Sequence, residues 1–232
     1  DFYSKYVRCY PYSVDIDALH QLRVLLNCIA RKGARSMILV YFSHPDLIGH
    51  SHGLDTAWSE VLDRTYEISQ RIMEIASGLK NVRTIVYFLS DHGAMPIRET
   101  IIISQEDAHR LKEELKIERI AKSGRFAFVY SDSEIDVERL ESIFRGRVVV
   151  VETEKTMRRF WPDVRGNEER FMSRAGRYMI LYKEYVESMV SGERQEGDIL
   201  ADFEGYRRVL KASHGSASRL EYDAFLMAYR NF

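Results

Sequence analysis

Apolar residues recur at helical spacing between residues 17 and 32, where Leu19, Leu22, Leu25, Leu26 and Ile29 share a face and Gly33 follows as a stop signal. Residues 36–43 (SMILVYFS) are then continuously apolar and partly β-branched, the signature of a parallel strand covered on both faces. A polar loop at residues 44–53 (HPDLIGHSHG) leads to a second helical pattern over residues 56–79, with Val61, Leu62, Tyr66, Ile68, Ile72 and Ile75 as its apolar positions. Residues 82–89 (VRTIVYFL) repeat the strand signature and run directly into a second polar loop, SDHG, at residues 90–93. Strand, loop, helix, strand, loop is the order of a doubly wound α/β sheet, in which ligands gather at the carboxyl ends of strands. Both histidine-bearing loops sit at such ends.

Beyond Met95 the predicted elements shorten. Strands are expected at residues 101–104, 126–130 and 148–152, and helices at 107–115 and 136–144. This pattern predicts a smaller α+β cap or insertion over residues 105–205, set into an α/β core made by residues 1–104 and 206–232. Charged, glycine-bearing stretches at 163–170 and 191–198 read as surface loops. A third His-Gly turn, at His214 and Gly215, precedes a last strand expected at 224–229.

Composition narrows the partners. A chain of 232 residues with 45% hydrophobic content is large enough for a full core. Lys and Arg total 34 against 35 for Asp and Glu, and the net charge of -1 provides no general field for duplex nucleic acid or an anionic membrane. An anionic ligand must be held by a local site. The two cysteines, Cys9 and Cys28, have no metal-ribbon spacing and read as buried thiols. No apolar run approaches the roughly 20 residues of a membrane span, and no basic-then-apolar leader opens the chain, which gives the expectation of a soluble cytoplasmic protein.

Asp46 and His50 lie four residues apart, a spacing that lets a carboxylate and an imidazole face one point from a loop or a first helical turn. Asp91 and His92 are adjacent at a strand-to-loop transition, where both can reach one centre, and Gly93 permits an unusual turn after them. With His214, three separate loops carry Asp or His donors. Carboxylate and imidazole without thiolate suit zinc, manganese or iron. Two such ions about 4 Å apart would clamp the attacking and leaving oxygens of a phosphoryl transfer.

PDLIGHSHG at 45–53 resembles the P-D-x-x-G-H-x-x-G stretch of the type I phosphodiesterase/nucleotide pyrophosphatase family of the alkaline phosphatase superfamily. LSDHGAM at 89–95 is similar to that family's S-D-H-G-M loop, and SHGSAS at 213–218 to its downstream His-Gly loop. The resemblance covers residues 36–103 and 205–229 in the family's order. It implies a three-layer α/β/α sandwich with a mostly parallel sheet, in which Asp46, His50 and His214 ligate one divalent metal and Asp91 and His92 the second. Zinc is the usual metal of such sites, with manganese or magnesium in some relatives. His52, in the same loop, is expected to face substrate or to support a ligand.

Two elements of the family pattern have no match in the 45 residues before Asp46: an Asp that completes the second site and a Thr or Ser nucleophile. Asp15 and Asp17 read as helix caps, and Ser4 and Ser13 have no supporting context. The resemblance therefore implies a metal-dependent hydrolase of phosphodiester or pyrophosphate bonds in small nucleotides or phosphate esters, with the nucleophile supplied by a separate amino-terminal segment or chain. A phosphomutase or sulfatase of the same superfamily is the sibling reading. A non-catalytic, metal-stabilised binding or regulatory module is the reading from another class. Among the remaining polar residues, His44 is expected to shape its loop, His20 and His109 to be satisfied surface or boundary residues of helices, and Arg158 and Arg159 to belong to a solvated loop anchored by Trp161.

Overall fold

The computed structural model describes residue 11 and residues 14–33, 35–79, 82–161, 166–190 and 210–231. Cys9, Ser4, Ser13, residues 162–165 and the expected loop at 191–198 lie outside the described residues. The chain forms two compact units, one of residues 1–48, 55–90 and 225–232, the other of residues 49–54 and 91–224.

In the first unit, helix α1 (Asp15–Lys32) and helix α3 (Thr56–Ser77) follow the apolar spacing of the sequence. Gly33 caps the end of α1, and the Asp55 carboxylate accepts hydrogen bonds from the N–H groups of Ala57 and Trp58 to start α3. Leu19, Leu22, Ile68 and Ile72 are buried together, and Ile38, Val40, Phe42, Val86 and Phe88 pack against them. The last two belong to strand β1 (Thr84–Leu89), which pairs antiparallel with β10 (Leu226–Asn231).

Residues 35–43 take no regular strand pairing among the described residues, contrary to the buried strand expected there. The alternation is nevertheless strand-like: Ile38, Val40 and Phe42 face the core while Met37, Leu39 and Tyr41 are 93%, 82% and 63% exposed. β1 behaves the same way, with Ile85, Tyr87 and Leu89 exposed. Continuous apolar character reads as burial on both faces, yet the two helices cover one face only. Tyr41 and Tyr87 thus stand in solvent where strand packing was expected, while Phe42 and Phe88 pack as foreseen. Cys28, expected buried, is exposed on α1.

The second unit begins inside helix α2 (His44–His52), a single continuous helix. Strand β2 (Met95–Pro96) pairs antiparallel with β9 (Ala212–Ser213), and β3 (Glu99–Ile103) pairs parallel with β8 (Val186–Val190). A four-stranded antiparallel sheet has the order β4 (Arg119–Ser123), β5 (Phe126–Tyr130), β7 (Tyr178–Tyr182), β6 (Val148–Glu152). Helix α4 (Gln105–Glu113) and helix α5 (Val137–Ile143) close its core, in which Leu111, Ile120, Val129, Leu140, Phe144 and Ile180 are fully buried. Helix α6 (Thr153–Phe160), helix α7 (Glu168–Met172) and helix α8 (Arg219–Tyr222) complete the unit.

The fold is therefore mixed α/β, but the expectation of a mostly parallel sheet fails. β3–β8 is the one parallel pairing among the described residues, and the others are antiparallel. Hydrophobicity reports that a strand is buried and carries no record of its neighbour's direction, which is set by where the chain returns. Arg158 and Arg159 are also displaced from their expected loop. They form the last turn of α6, with Arg158 3.3 Å from Glu168.

Candidate metal centre

The segment expected to be a polar loop is helical because its composition suits a short helix. Pro45 falls in the first turn, where a missing N–H costs nothing, and Asp46 lies near the positive end of the helix dipole. The indole N–H of Trp58 donates to the Pro45 carbonyl at 3.1 Å and ties the start of α2 to α3. Helical geometry then places Asp46 and His50 one turn apart on the same face. Gly53 closes the helix through its N–H bond to the Gly49 carbonyl, 2.9 Å.

Strand β9 gathers the rest. The Lys211 N–H donates to the His50 carbonyl at 2.9 Å, and His50 Nδ1 lies 2.8 Å from the Ala212 carbonyl. Pairing of Met95 with Ser213 brings the loop that carries Asp91 and His92 beside the loop that opens with His214. The imidazoles of His92 and His214 stack, with centroids 3.5 Å apart and planes at 16°, and His50 lies 5.2 Å from His214.

Asp46, His50 and His214, all half-buried, offer one ligand atom each within 4.8 Å of one another. The donor set fits a divalent metal. A carbonyl oxygen only accepts, so the contact with Ala212 requires the proton on Nδ1 of His50 and leaves the lone pair on Nε2, the arrangement of a metal-ligating histidine held by an outer hydrogen bond. His92 repeats it, with Nδ1 2.7 Å from the Gly93 carbonyl.

Asp91 and His92 form a looser pair. Their side chains approach to 3.7 Å, and Asp91 is 68% exposed. They stand next to the triad through the His92–His214 stack but are not members of it. His52 ends α2 two residues after His50, which turns its side chain by about 200°, and its Nδ1 engages the Ser51 hydroxyl at 2.8 Å. His20, His44 and His109 are exposed.

Sequence patterns give no sign of two further residues beside the site, Arg125 and Glu221. Both are buried and ion-paired at the back of the His214 loop. A charged residue after a glycine in a hairpin turn looks like any exposed turn, so no local signal would have singled out Arg125.

The family model described as type I phosphodiesterase/nucleotide pyrophosphatase matches residues 3–184. His214 lies beyond that stretch, and the structure places it beside His50 and Asp46. In solved structures, the fold is similar to that of murine ectonucleotide pyrophosphatase/phosphodiesterase 5, at 16% identity and a TM-score of 0.59, over 95% of this chain and 54% of that one. This chain thus spans about half the length of that structure. No curated protein sequence matches.

Proposed function

Because the chain belongs to the type I phosphodiesterase/nucleotide pyrophosphatase family, we propose that it supplies the metal-holding half of a hydrolase acting on phosphodiester or pyrophosphate bonds of small nucleotides or phosphate esters. The observation that carries this reading is the convergence of Asp46, His50 and His214 within 4.8 Å, with His50 held in the ligating tautomer. These three would hold the first ion, and Asp91 and His92 would provide half of a second site. Zinc is the metal proposed, with manganese or magnesium as the alternatives. A bound ion supplies Lewis acidity towards a phosphoryl oxygen and lowers the proton affinity of the attacking hydroxyl. His52, at the exposed end of α2, is proposed to touch substrate rather than metal.

The nucleophile and the remaining Asp ligand are proposed to come from polypeptide outside these residues. Three described hydroxyls in the site loops serve local structure: Ser216 Oγ donates to the Tyr182 carbonyl at 2.6 Å, Ser218 Oγ to Glu221, and Ser90 Oγ accepts from the Phe225 N–H at 3.1 Å, whereas the buried Ser213 Oγ has no hydrogen-bond partner among the described residues. The bare apolar face of the first unit, Met37, Leu39, Tyr41, Ile85, Tyr87 and Leu89, fits the same completion. Covering it would add the third layer of an α/β/α sandwich.

The engagement of those hydroxyls also favours a second reading, a metal-stabilised binding module without turnover. Hydrolysis of a chromogenic phosphodiester by the protein that contains this chain, lost in His50→Ala, supports the hydrolase. Activity on monoesters or sulfate esters alone transfers the assignment to the phosphomutase and sulfatase siblings. Metal binding without any turnover supports the module.

A further inference from the structure

One buried ion pair reaches both histidine-bearing loops of the second unit. Arg125 stands at the β4–β5 turn and Glu221 in α8, and both side chains are completely buried. The Arg125 backbone N–H donates to the His214 carbonyl at 2.6 Å, and the Glu221 carbonyl accepts from the Gly93 N–H at 3.0 Å. The pair is therefore one backbone bond away from His214 itself and from the residue next to His92. The loops are seated without slack. A Cβ added to Gly124 would lie 2.2 Å from the His214 carbonyl oxygen, and one added to Gly93 would lie 2.0 Å from that of Leu220.

The guanidinium does more than neutralise Glu221. It donates to the carbonyls of Val186 at 2.8 Å, Tyr182 at 3.3 Å and Lys183, so that its planar fork fixes β7, β8 and α8 against one another. Glu221 in turn accepts from the Ser216 N–H at 3.2 Å and from the Ser218 hydroxyl, both within the loop that follows His214. A buried ion pair contributes little net stability relative to an apolar pair of similar volume, but its directed bonds specify position.

We infer that Arg125 and Glu221 are positioning residues that set the spacing and tilt of the His92 and His214 imidazoles. The consequence for metal binding rests on the metal-centre reading above; the stacking itself does not. The test compares the whole chain with the variant Arg125→Met/Glu221→Leu and with Arg125→Lys. Three properties are read: the melting temperature, the ring-current shielding of the imidazole protons in the metal-free protein, and the zinc affinity.

The expected result is that the double variant stays folded but melts below the unchanged chain, since the Val186 and Lys183 carbonyls and the Ser216 N–H lose their partners, loses the shielding, and binds zinc about 10–100-fold more weakly, the usual effect of losing an outer-shell partner. Arg125→Lys, which keeps the charge without the fork, should fall between. Unchanged shielding and zinc affinity in a folded double variant would overturn the inference. So would unfolding of both variants, which would make the pair an element of stability. An unchanged chain that shows the shielding but takes up no zinc refutes the metal-centre reading, and the shielding of the variants then decides the positioning role.

Discussion

The imidazole of His92 lies against that of His214 at 3.5 Å, although 122 positions separate them in sequence, because β2 and β9 pair residue for residue and deliver the two loops at one edge. His214 belongs to the candidate triad and His92 does not, so the stack sets that triad beside the looser pair of Asp91 and His92.

This separation predicts an order of ligand effects. Asp46→Ala, His50→Ala and His214→Ala should each abolish zinc uptake by the chain. His52→Ala should leave it intact, and His92→Phe, which keeps a ring in the stack, should leave the first ion bound. Isothermal titration with zinc measures all five; retention of uptake in His214→Ala would remove it from the site.

Gly124→Ala should damage the His214 loop directly. The new methyl meets the His214 carbonyl at 2.2 Å, and the residue holds φ +55, where a side chain costs about 1–2 kcal/mol before any clash. Urea unfolding should show a loss of at least that size, accompanied by weaker zinc binding. Equal stability of variant and parent would mean that the hairpin turn can move away.

The core of the second unit should respond as a close-packed interior. Leu111 and Ile180 are completely buried on α4 and β7. Leu111→Ala and Ile180→Ala are each expected to cost about 2–5 kcal/mol, read from the shift of the denaturation midpoint at constant slope.

Tyr182 predicts an alkaline weakness. Burial pushes its phenol well above the ordinary value, the nearby Glu187 carboxylate adds to the shift, and the Ser188 hydroxyl and Arg125 oppose it. The folded chain therefore keeps this proton where the unfolded chain releases it, near pH 10. The unfolded state binds fewer protons above that pH, so stability should fall with rising pH, by up to about 1.4 kcal/mol per unit from this group. Tyr182→Phe should flatten the slope in denaturant titrations above pH 10, and an unchanged slope would exclude Tyr182 as its source.

The bare face of the first unit predicts association. Leu39→Lys with Leu89→Lys should reduce dye binding and self-association without lowering the melting temperature, because both positions are exposed and make no part of the packed core. A large loss of stability would show that the face is covered within the chain.

The amino-acid sequence alone determined the local elements and the identity of the donors. Helical spacing over α1 and α3, the stop at Gly33, the strand runs of β1, β5 and β6, and the three polar segments bearing Asp46, His50, Asp91, His92 and His214 all follow from residue type and period, which act over a few neighbours. Short elements were harder to read. α2 was hidden by its polar residues and its proline, and β7 and β8 by the lack of any period distinct from their surroundings.

Only the tertiary structure decided which strands pair and in what direction, which apolar face is covered, which donors meet, and that Arg125 reaches Glu221. These depend on contacts between residues far apart in the chain, such as Met95 with Ser213 and Arg125 with Glu221. The free energy of such contacts comes from desolvation and directed hydrogen bonds at the point of meeting, and a linear pattern of residue types contains no coordinate for that point.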